Sequence, residues 1–288
     1  MVLTDNLVSY WKLEEATDAV RLDSVGSNDL SQAGQSIAQG TGKLNNGADW
    51  TGTTAARLTP GSGVLQDDTF SVSFWINMPS FNTYGHYVNH THGNSQGWAV
   101  WLRDVGGYKI EFSGFAQPSW DWDISSSDVS MLTIGQWHHI VATRVNSGAA
   151  NLYVDNVVVA NTGSSGTSDY ATDMTNDKFT LGSRTNTQPG NIDEAGFWNR
   201  ELTVAEVAHL WSAGQGAFYD NNNADDFDDE VPICWNYTAQ YKGSTKMFKL
   251  SGPGSFPTSI NIPGNVDIST GKMIDDGKEI DPSNYKVE

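Results

Sequence analysis

At 288 residues the chain can hold one large β domain and a small extra module. Its 29 glycines, 11 tryptophans, 10 tyrosines and 11 phenylalanines, against only 17% charged residues, fit a turn-rich all-β protein with aromatic surfaces and exclude disorder over most of the length. The formal net charge of −18 argues against a nucleic-acid partner, which needs clustered Lys and Arg, and against an anionic membrane surface; neutral glycans, calcium or plain solubility all remain compatible with it.

In chain order, residues 6–13 (NLVSYWKL) alternate as a first strand, with Leu7, Trp11 and Leu13 on one face and Val8, Tyr10 and Lys12 on the other. Asp23-Ser-Val-Gly-Ser-Asn28 follows as a turn. The stretch 69–78 (TFSVSFWINM) alternates strictly, Val72, Phe74 and Ile76 opposing Ser73, Trp75 and Asn77. Further strands are expected over 84–89, 97–103, 108–112 and 178–183. Between them, 137–145 and 150–158 are β-branched, alternating runs joined by Asn-Ser-Gly, a hairpin whose second arm reverses again at Asp155-Asn156. At Leu202-Thr203 the period changes: Thr203 with Glu206 three residues on makes a capping box, Val204, Val207, Ala208 and Trp211 recur at helical spacing, and Gly214 ends the helix.

The composition changes beyond Phe218. Residues 219–230 carry an acidic run, from Asp220 to Glu230, that lacks the alternate spacing and central glycine of a calcium loop and reads as a solvated linker. Residues 231–288 hold 6 Lys and 6 Asp or Glu, so the whole −18 lies in residues 1–230. Short strands are expected over 233–241, 246–250 and 259–262, a 58-residue module with a marginal core that has to rest on something, either the main domain, a copy of itself or a larger assembly.

The sequence from Gly135 to Ala160, with Trp137, His138, His139 and the run Leu152-Tyr153-Val154-Asp155, resembles the hairpin of laminin-G-like domains of the concanavalin A-like lectin superfamily. The Asp23 turn, the Gly-Lys at 42–43, the aromatic Trp50 and the Ile192-Asp193-Glu194 strand leading through Trp198-Asn199-Arg200 to a helix resemble further landmarks, in the family's order, over residues 5–216. The resemblance implies an antiparallel jelly-roll β-sandwich over 1–218 with one short C-terminal helix, followed by the linker 219–230 and the β-rich module 231–288. It also implies a structural Ca²⁺ held by Asp193, with Asp23 and the carbonyl of Gly52 beside it; the alternative is that Asp193 only hydrogen-bonds the N-terminal strand. His138 and His139 match a structural strand and are expected to pack and hydrogen-bond.

Hydrolytic relatives of this sandwich need paired carboxylates along one strand, and no Glu-x-Asp-x-Glu or close variant occurs; Asp121 and Asp123 in SWDWD lack the glutamates. No enzyme is expected. On one extended strand His86, His90 and His92 would face the same way and could suit a transition metal, but the Asn- and Thr-rich setting favours a polar binding loop. Trp98, Trp101, Tyr108, Trp120 and Trp122 exceed what one core needs; Trp75 and Trp137 are expected inside, whereas Trp120 and Trp122, in a loop-like stretch, are expected to be exposed. A glycan site is therefore expected from Trp101, Arg103, Tyr108, Trp120, Trp122, Asn89 and His90, with aromatic faces for sugar C–H groups and polar forks for hydroxyls.

Cys234 is the single cysteine, so no internal disulfide forms; no run approaches about 18 apolar residues, and the N-terminus lacks a signal-peptide pattern. These features suggest a non-enzymatic virion surface protein, a bacteriophage capsid decoration or fibre, binding a cell-surface glycan and attached to capsid or tail proteins or to copies of itself through 231–288. The alternatives are a carbohydrate-binding or adhesin module of a secreted bacterial protein, and a structural cement protein that binds no sugar.

Overall fold

The computed structural model describes residues 3–53, 55–61, 69–82, 84–92, 96–104, 108–116, 119–125, 131–145, 149–160, 178–183, 186–216, 233–241, 244–252, 261–262, 266–269, 272–275 and 278–280. For 91–92, 96, 104, 108, 115–116, 119–125, 178 and all positions beyond 232 the backbone alone is described. The chain divides into two compact units, Met1–Asp228 and Asp229–Glu288.

The first unit contains β1 (Leu7–Trp11), β2 (Leu30–Gly34), β3 (Ala38–Thr41), β4 (Asn46–Asp49), β5 (Ala56–Pro60), β6 (Phe70–Asn77), β7 (His86–His92) and β8 (Gln96–Asp104). It continues with β9 (Tyr108–Ala116), β10 (Ser119–Ser125), β11 (Trp137–Arg144), β12 (Ala150–Val154), β13 (Val157–Val158), β14 (Lys178–Gly182), β15 (Asn191–Trp198) and the helix α1 (Val204–Trp211). Two antiparallel sheets face each other. One is eight-stranded, in the order β13-β12-β11-β6-β15-β4-β3 with β1 on β15, and the other seven-stranded, in the order β10-β9-β8-β7-β14-β5-β2. The jelly-roll sandwich expected from the sequence is the fold.

Strand alternation decides which side chains meet between the sheets. Val72, Phe74 and Ile76 of β6, Ile140 and Ala142 of β11, and Ile192 and Phe197 of β15 enter one buried cluster with Leu58, Val88, Trp98, Val100, Phe112 and Leu181 of the opposite sheet. An aromatic column runs through it. Trp11 stacks on Phe179 at 5.3 Å, Phe179 meets Phe197 edge-on at 5.9 Å, Phe197 stacks on Phe70 at 5.9 Å, and Phe70 stacks on Trp98 at 4.6 Å. Offset and edge-to-face pairs of this kind contribute about 0.5–1.5 kcal/mol each beyond the area they bury.

A second cluster, Leu3, Leu7, Tyr10, Val141, Tyr153, Trp198, Leu202, Val207 and Leu210, covers the outer side of the eight-stranded sheet beneath α1. The register of β1 on β15 slips between Leu7 and Ser9, so Leu7 joins Tyr10 in this outer cluster while Trp11 and Leu13 stay inside; the regular alternation expected over 6–13 is corrected by this bulge. Trp75 is also buried but belongs to neither cluster. It is enclosed, as expected, but on the outer side of the sheet, stacked on His139 at 4.9 Å with Lys43 Nζ 4.7 Å from its ring, whereas Trp137, also expected inside, is only half-buried.

The hairpin from Trp137 forms as read: Asp155 and Asn156, at φ 50° and 64°, make the two-residue reversal between β12 and β13. His138 donates to Asp155 Oδ2 at 2.7 Å, and His139 Nε2 meets Ser73 Oγ at 2.8 Å. α1 begins at the expected capping box, the Glu206 N–H donating to Thr203 Oγ1 and the Thr203 N–H to Glu206 Oε2. It stops at Trp211, with Ser212 left-handed, and a 3₁₀ turn carries the chain to Gly214.

In the second unit β16 (Ile233–Tyr241) pairs with β17 (Ser244–Gly252), and β18 (Asn261–Ile262), β19 (Val266–Ser269), β20 (Lys272–Asp275) and β21 (Lys278–Ile280) form an antiparallel meander. The last three strands were not anticipated, because each has only three or four residues. The acidic run 219–230 lies outside the described residues.

The tie between α1 and the sheet is Arg200, which reaches Glu206 through both terminal nitrogens, Nη1 at 2.8 Å and Nη2 at 2.5 Å, and donates to the Leu3 and Asp5 carbonyls. Removing one partner of a buried ion pair leaves the other uncompensated, at a cost of roughly 3–5 kcal/mol. Glu206→Ala is therefore expected to lower unfolding free energy by about 3 kcal/mol or more in a denaturant titration, well beyond the ~1 kcal/mol of a lost cap alone.

Candidate functional site on the seven-stranded sheet

Because successive strand residues point to opposite sides, the inward Trp98, Val100 and Leu102 of β8 place Ala99, Trp101 and Arg103 on the outer face. The register of β8 on β9 sets Trp101 opposite Glu111 and Ala99 opposite Ser113. Trp101 Nε1 donates to Ser113 Oγ at 2.8 Å, and Arg103 Nη1 pairs with Glu111 Oε2 at 3.2 Å while its guanidinium lies 5.9 Å from the Trp101 ring. Glu111 is buried and Arg103 is a third exposed, so the ion pair runs from the sheet surface outward.

On the other side of Trp101, β7 carries a bulge between His86 and Val88. The extra residue re-aims the strand. His86 therefore faces outward and stacks on Trp101 at 5.3 Å, while Tyr87 and Val88 both enter the core. Asn89 Nδ2 donates to the Gly182 carbonyl at 2.7 Å, which turns Asn89 Oδ1 toward His86 Nδ1 at 2.5 Å. That oxygen can only accept, so His86 Nδ1 carries the proton and Nε2 keeps its lone pair. Burial lowers the His86 pKa, opposed by the Asn89 bond, which keeps the ring neutral. Just before the strand, Tyr84 sits at φ 61°, a left-handed conformation uncommon for a bulky residue, with its ring stacked on Trp101 at 5.6 Å.

Of the residues expected to bind glycan, Asn89, Trp101 and Arg103 come together here. His90 does not: it is 1% exposed and stacks on Trp98 at 5.8 Å inside the sandwich, because the bulge puts it on the opposite side of β7 from His86. The same bulge removes the common face expected for His86, His90 and His92. The side chains of Tyr108, Trp120, Trp122 and His92 lie outside the described residues. The backbone of 119–125, expected as a loop-like stretch, is strand β10, with Trp120 opposite Phe115 and Trp122 opposite Gly114. Sequence reasoning missed Tyr84, His86, Glu111 and Ser113. The alternation of β9 carried the signal for the last two, whereas nothing local announced the backbone of Tyr84.

The residues expected to hold calcium each have a local role of their own. Asp23 Oδ1 accepts the N–H groups of Tyr10 and Val25 and its Oδ2 that of Asn28, so this carboxylate organises the 23–28 turn. Gly52 is a left-handed turn residue at φ 81°. Asp193 shares no partner with either; its Oδ2 accepts the Leu44 N–H at 3.0 Å and its Oδ1 is buried without a partner. Among the described residues no three His, Cys, Asp or Glu side chains are grouped to hold a metal. Asp193 stands instead beside Glu194, which lies in a bulge of β15 at φ 49°, accepts the Tyr10 hydroxyl and leaves Oε1 unpartnered.

A laminin G profile described as the concanavalin A-like lectin/glucanases superfamily matches residues 46–208, more than half of the chain. The chain belongs to this family. Its match spans β4 to α1 and so contains the whole Trp101 face. No curated protein matches the sequence. Among solved structures, domain 4 of the extracellular arabinanase AbnA of Geobacillus stearothermophilus, in complex with arabinotriose, is 18% identical with a TM-score of 0.57, over 73% of this chain and 98% of that domain. The receptor-binding domain of botulinum neurotoxin D is 16% identical at 0.54, over 74% and 54%. Trypanosoma rangeli sialidase is 14% identical at 0.54, over 75% of this chain but only 34% of the sialidase. These likenesses establish the fold.

Two adjacent buried carboxyls resist ionising together. Burial pushes Asp193 up to about 8, against the backbone N–H groups that favour its charged form, and burial with Asp193 beside it raises Glu194 well above the usual carboxylate range. From about pH 4 to 8 the folded chain thus holds protons that the unfolded chain has released, so stability falls as pH rises through that window. In chelator-containing buffer the melting temperature is expected to drop between pH 5 and 8. Asp193→Asn should flatten that slope; an unchanged slope would show that the pair ionises freely.

Proposed function

We propose that this chain is a glycan-binding protein whose recognition face is the outer side of the seven-stranded sheet around Trp101 and Arg103. The observation that carries the reading is the convergence on one ring of two further aromatic rings and a guanidinium, each within 6 Å of Trp101. Apolar ring faces for C–H groups beside a few fixed polar atoms are the chemistry that holds sugars. A domain of the same fold solved with arabinotriose supports it by analogy. Binding suits the face better than hydrolysis, because Glu111 is buried and ion-paired to Arg103, whereas glycoside cleavage uses two carboxyls flanking the bond. Calcium is not part of this reading.

We further propose that the protein is displayed on a virion surface, with 231–288 attaching it to capsid or tail proteins or to another copy. What supports this is the separate second unit and its charge balance, 6 Lys against 6 acidic residues in a chain of net −18. Co-sedimentation of the full chain with particles from its own genomic neighbourhood tests it. Binding to particles without binding to any glycan would make the protein a structural cement, and failure to bind particles would return the secreted adhesin as the better reading.

On a broad glycan array the intact protein is expected to bind a defined sugar class equally well with calcium and with chelator. Arg103→Ala should weaken that binding about tenfold, the ~1.4 kcal/mol of one charge-assisted hydrogen bond, in isothermal titration.

A further inference from the structure

We propose that this face takes an uncharged sugar, its ring seated on Tyr84, with one hydroxyl donating to His86 Nε2 and another accepting from Arg103 Nη2. The proposal rests on the glycan-binding reading above and specifies which glycans satisfy it.

Trp101 itself cannot be the platform. It is 4% exposed, with His86 and Tyr84 both stacked on it. Tyr84 is 45% exposed and is the one aromatic among the exposed large apolar side chains described. Its ring lies 25° from the Trp101 plane at 5.6 Å, so one ring face is backed by the indole and the phenol extends the stack outward. The left-handed backbone that presents it is disfavoured in a residue with a side chain of this kind, whereas glycine adopts it freely. Strain of this sort persists where the surroundings impose it, and it collects at ligand clamps. Here Gly85 supplies the constraint: its N–H donates to the Asn82 carbonyl, and any Cβ on it would come within 2.3 Å of Gln188 Oε1.

The polar atoms beside the platform are matched to hydroxyls. His86 Nδ1–H is committed to Asn89, and Asn89 to the Gly182 carbonyl, so the imidazole is held in one tautomer and offers Nε2 as an acceptor. Arg103 uses Nη1 on Glu111, and among the described residues no hydrogen bond occupies Nη2, which is left as the donor. An acceptor and a donor flanking an aromatic ring suit a group that both donates and accepts, as each sugar hydroxyl does.

The charges select against an acidic sugar. Glu111 at 3.2 Å offsets Arg103, His86 is neutral, and the chain carries net −18. A carboxylate arriving at Arg103 would meet the buried Glu111 carboxylate already paired there, so two negative charges would share one guanidinium. The long-range field of an acidic protein also slows the approach of an anion, most at low ionic strength.

The test is isothermal titration of the full chain with neutral trisaccharides (arabinotriose, cellotriose, galactotriose, mannotriose) and with 3′-sialyllactose and trigalacturonate. Two variants accompany it. Tyr84→Gly removes the ring and suits the left-handed backbone, with Tyr84→Asn as an equivalent should the first not fold; His86→Phe keeps the stack on Trp101 and deletes the acceptor. We expect at least one neutral trisaccharide to bind, at least tenfold more weakly to each variant at unchanged near-ultraviolet circular dichroism. Tighter binding of the acidic probes that Tyr84→Gly abolishes would overturn the neutral assignment and leave the glycan reading standing. Neutral binding that neither variant changes would overturn the placement on Tyr84. Binding of no probe, with the glycan array silent as well, would overturn both.

Discussion

The structure depends on the aromatic column between the two sheets. Trp11, Phe179, Phe197, Phe70 and Trp98 succeed one another through the interior, drawn from β1, β14, β15, β6 and β8. Interiors are close-packed, so a column of this size leaves each contributing strand one choice of which residues face inward. Once Trp98 is fixed against Phe70, Trp101 and Arg103 are outside, and β9 must put Glu111 and Ser113 beside them. The candidate site is thus a by-product of core packing on the other side of the same strands.

Bulges then edit what alternation would dictate. In β1 an irregularity moves Leu7 to the outer cluster; in β7 one separates His86 from His90; in β15 one sets Glu194 beside Asp193. Each places a residue where regular pairing would not, and two of the three involve side chains that matter chemically. That is the usual place for bulges, because they re-aim a side chain without disturbing the rest of the ladder.

The same distinction explains what could be read from the sequence. The Trp137 to Val158 hairpin was legible because its turn residues and its alternation are local, and so was the capping box of α1, where Thr203 and Glu206 are three residues apart. Trp101 and Arg103 were legible as a pair two residues apart on a strand. His90 was misread because a bulge adds a residue without changing composition, and 119–125 because its strand character comes from pairing with β9 and not from its own serines and aspartates. Asp23 matched a family landmark yet spends both oxygens on backbone N–H groups, a commitment visible only when Tyr10 and Asn28 are brought to it. Tyr84 had no signal at all: its importance lies in a backbone angle.

The final turn of the first unit carries a consequence for how the domain is held. Lys43 donates to the Gly214 carbonyl and Gly216 lies against Trp75, on the outer side of the eight-stranded sheet. Tyr84, His86 and Arg103 are on the outer side of the other sheet. At Gly216 the described chain therefore stands on the side of the sandwich opposite the candidate site. Force applied at that point would enter at Trp75 and the paired strands β6 and β11, and would reach the strands of the candidate site only across the thickness of the core. The candidate face would keep its shape while the opposite sheet took the load.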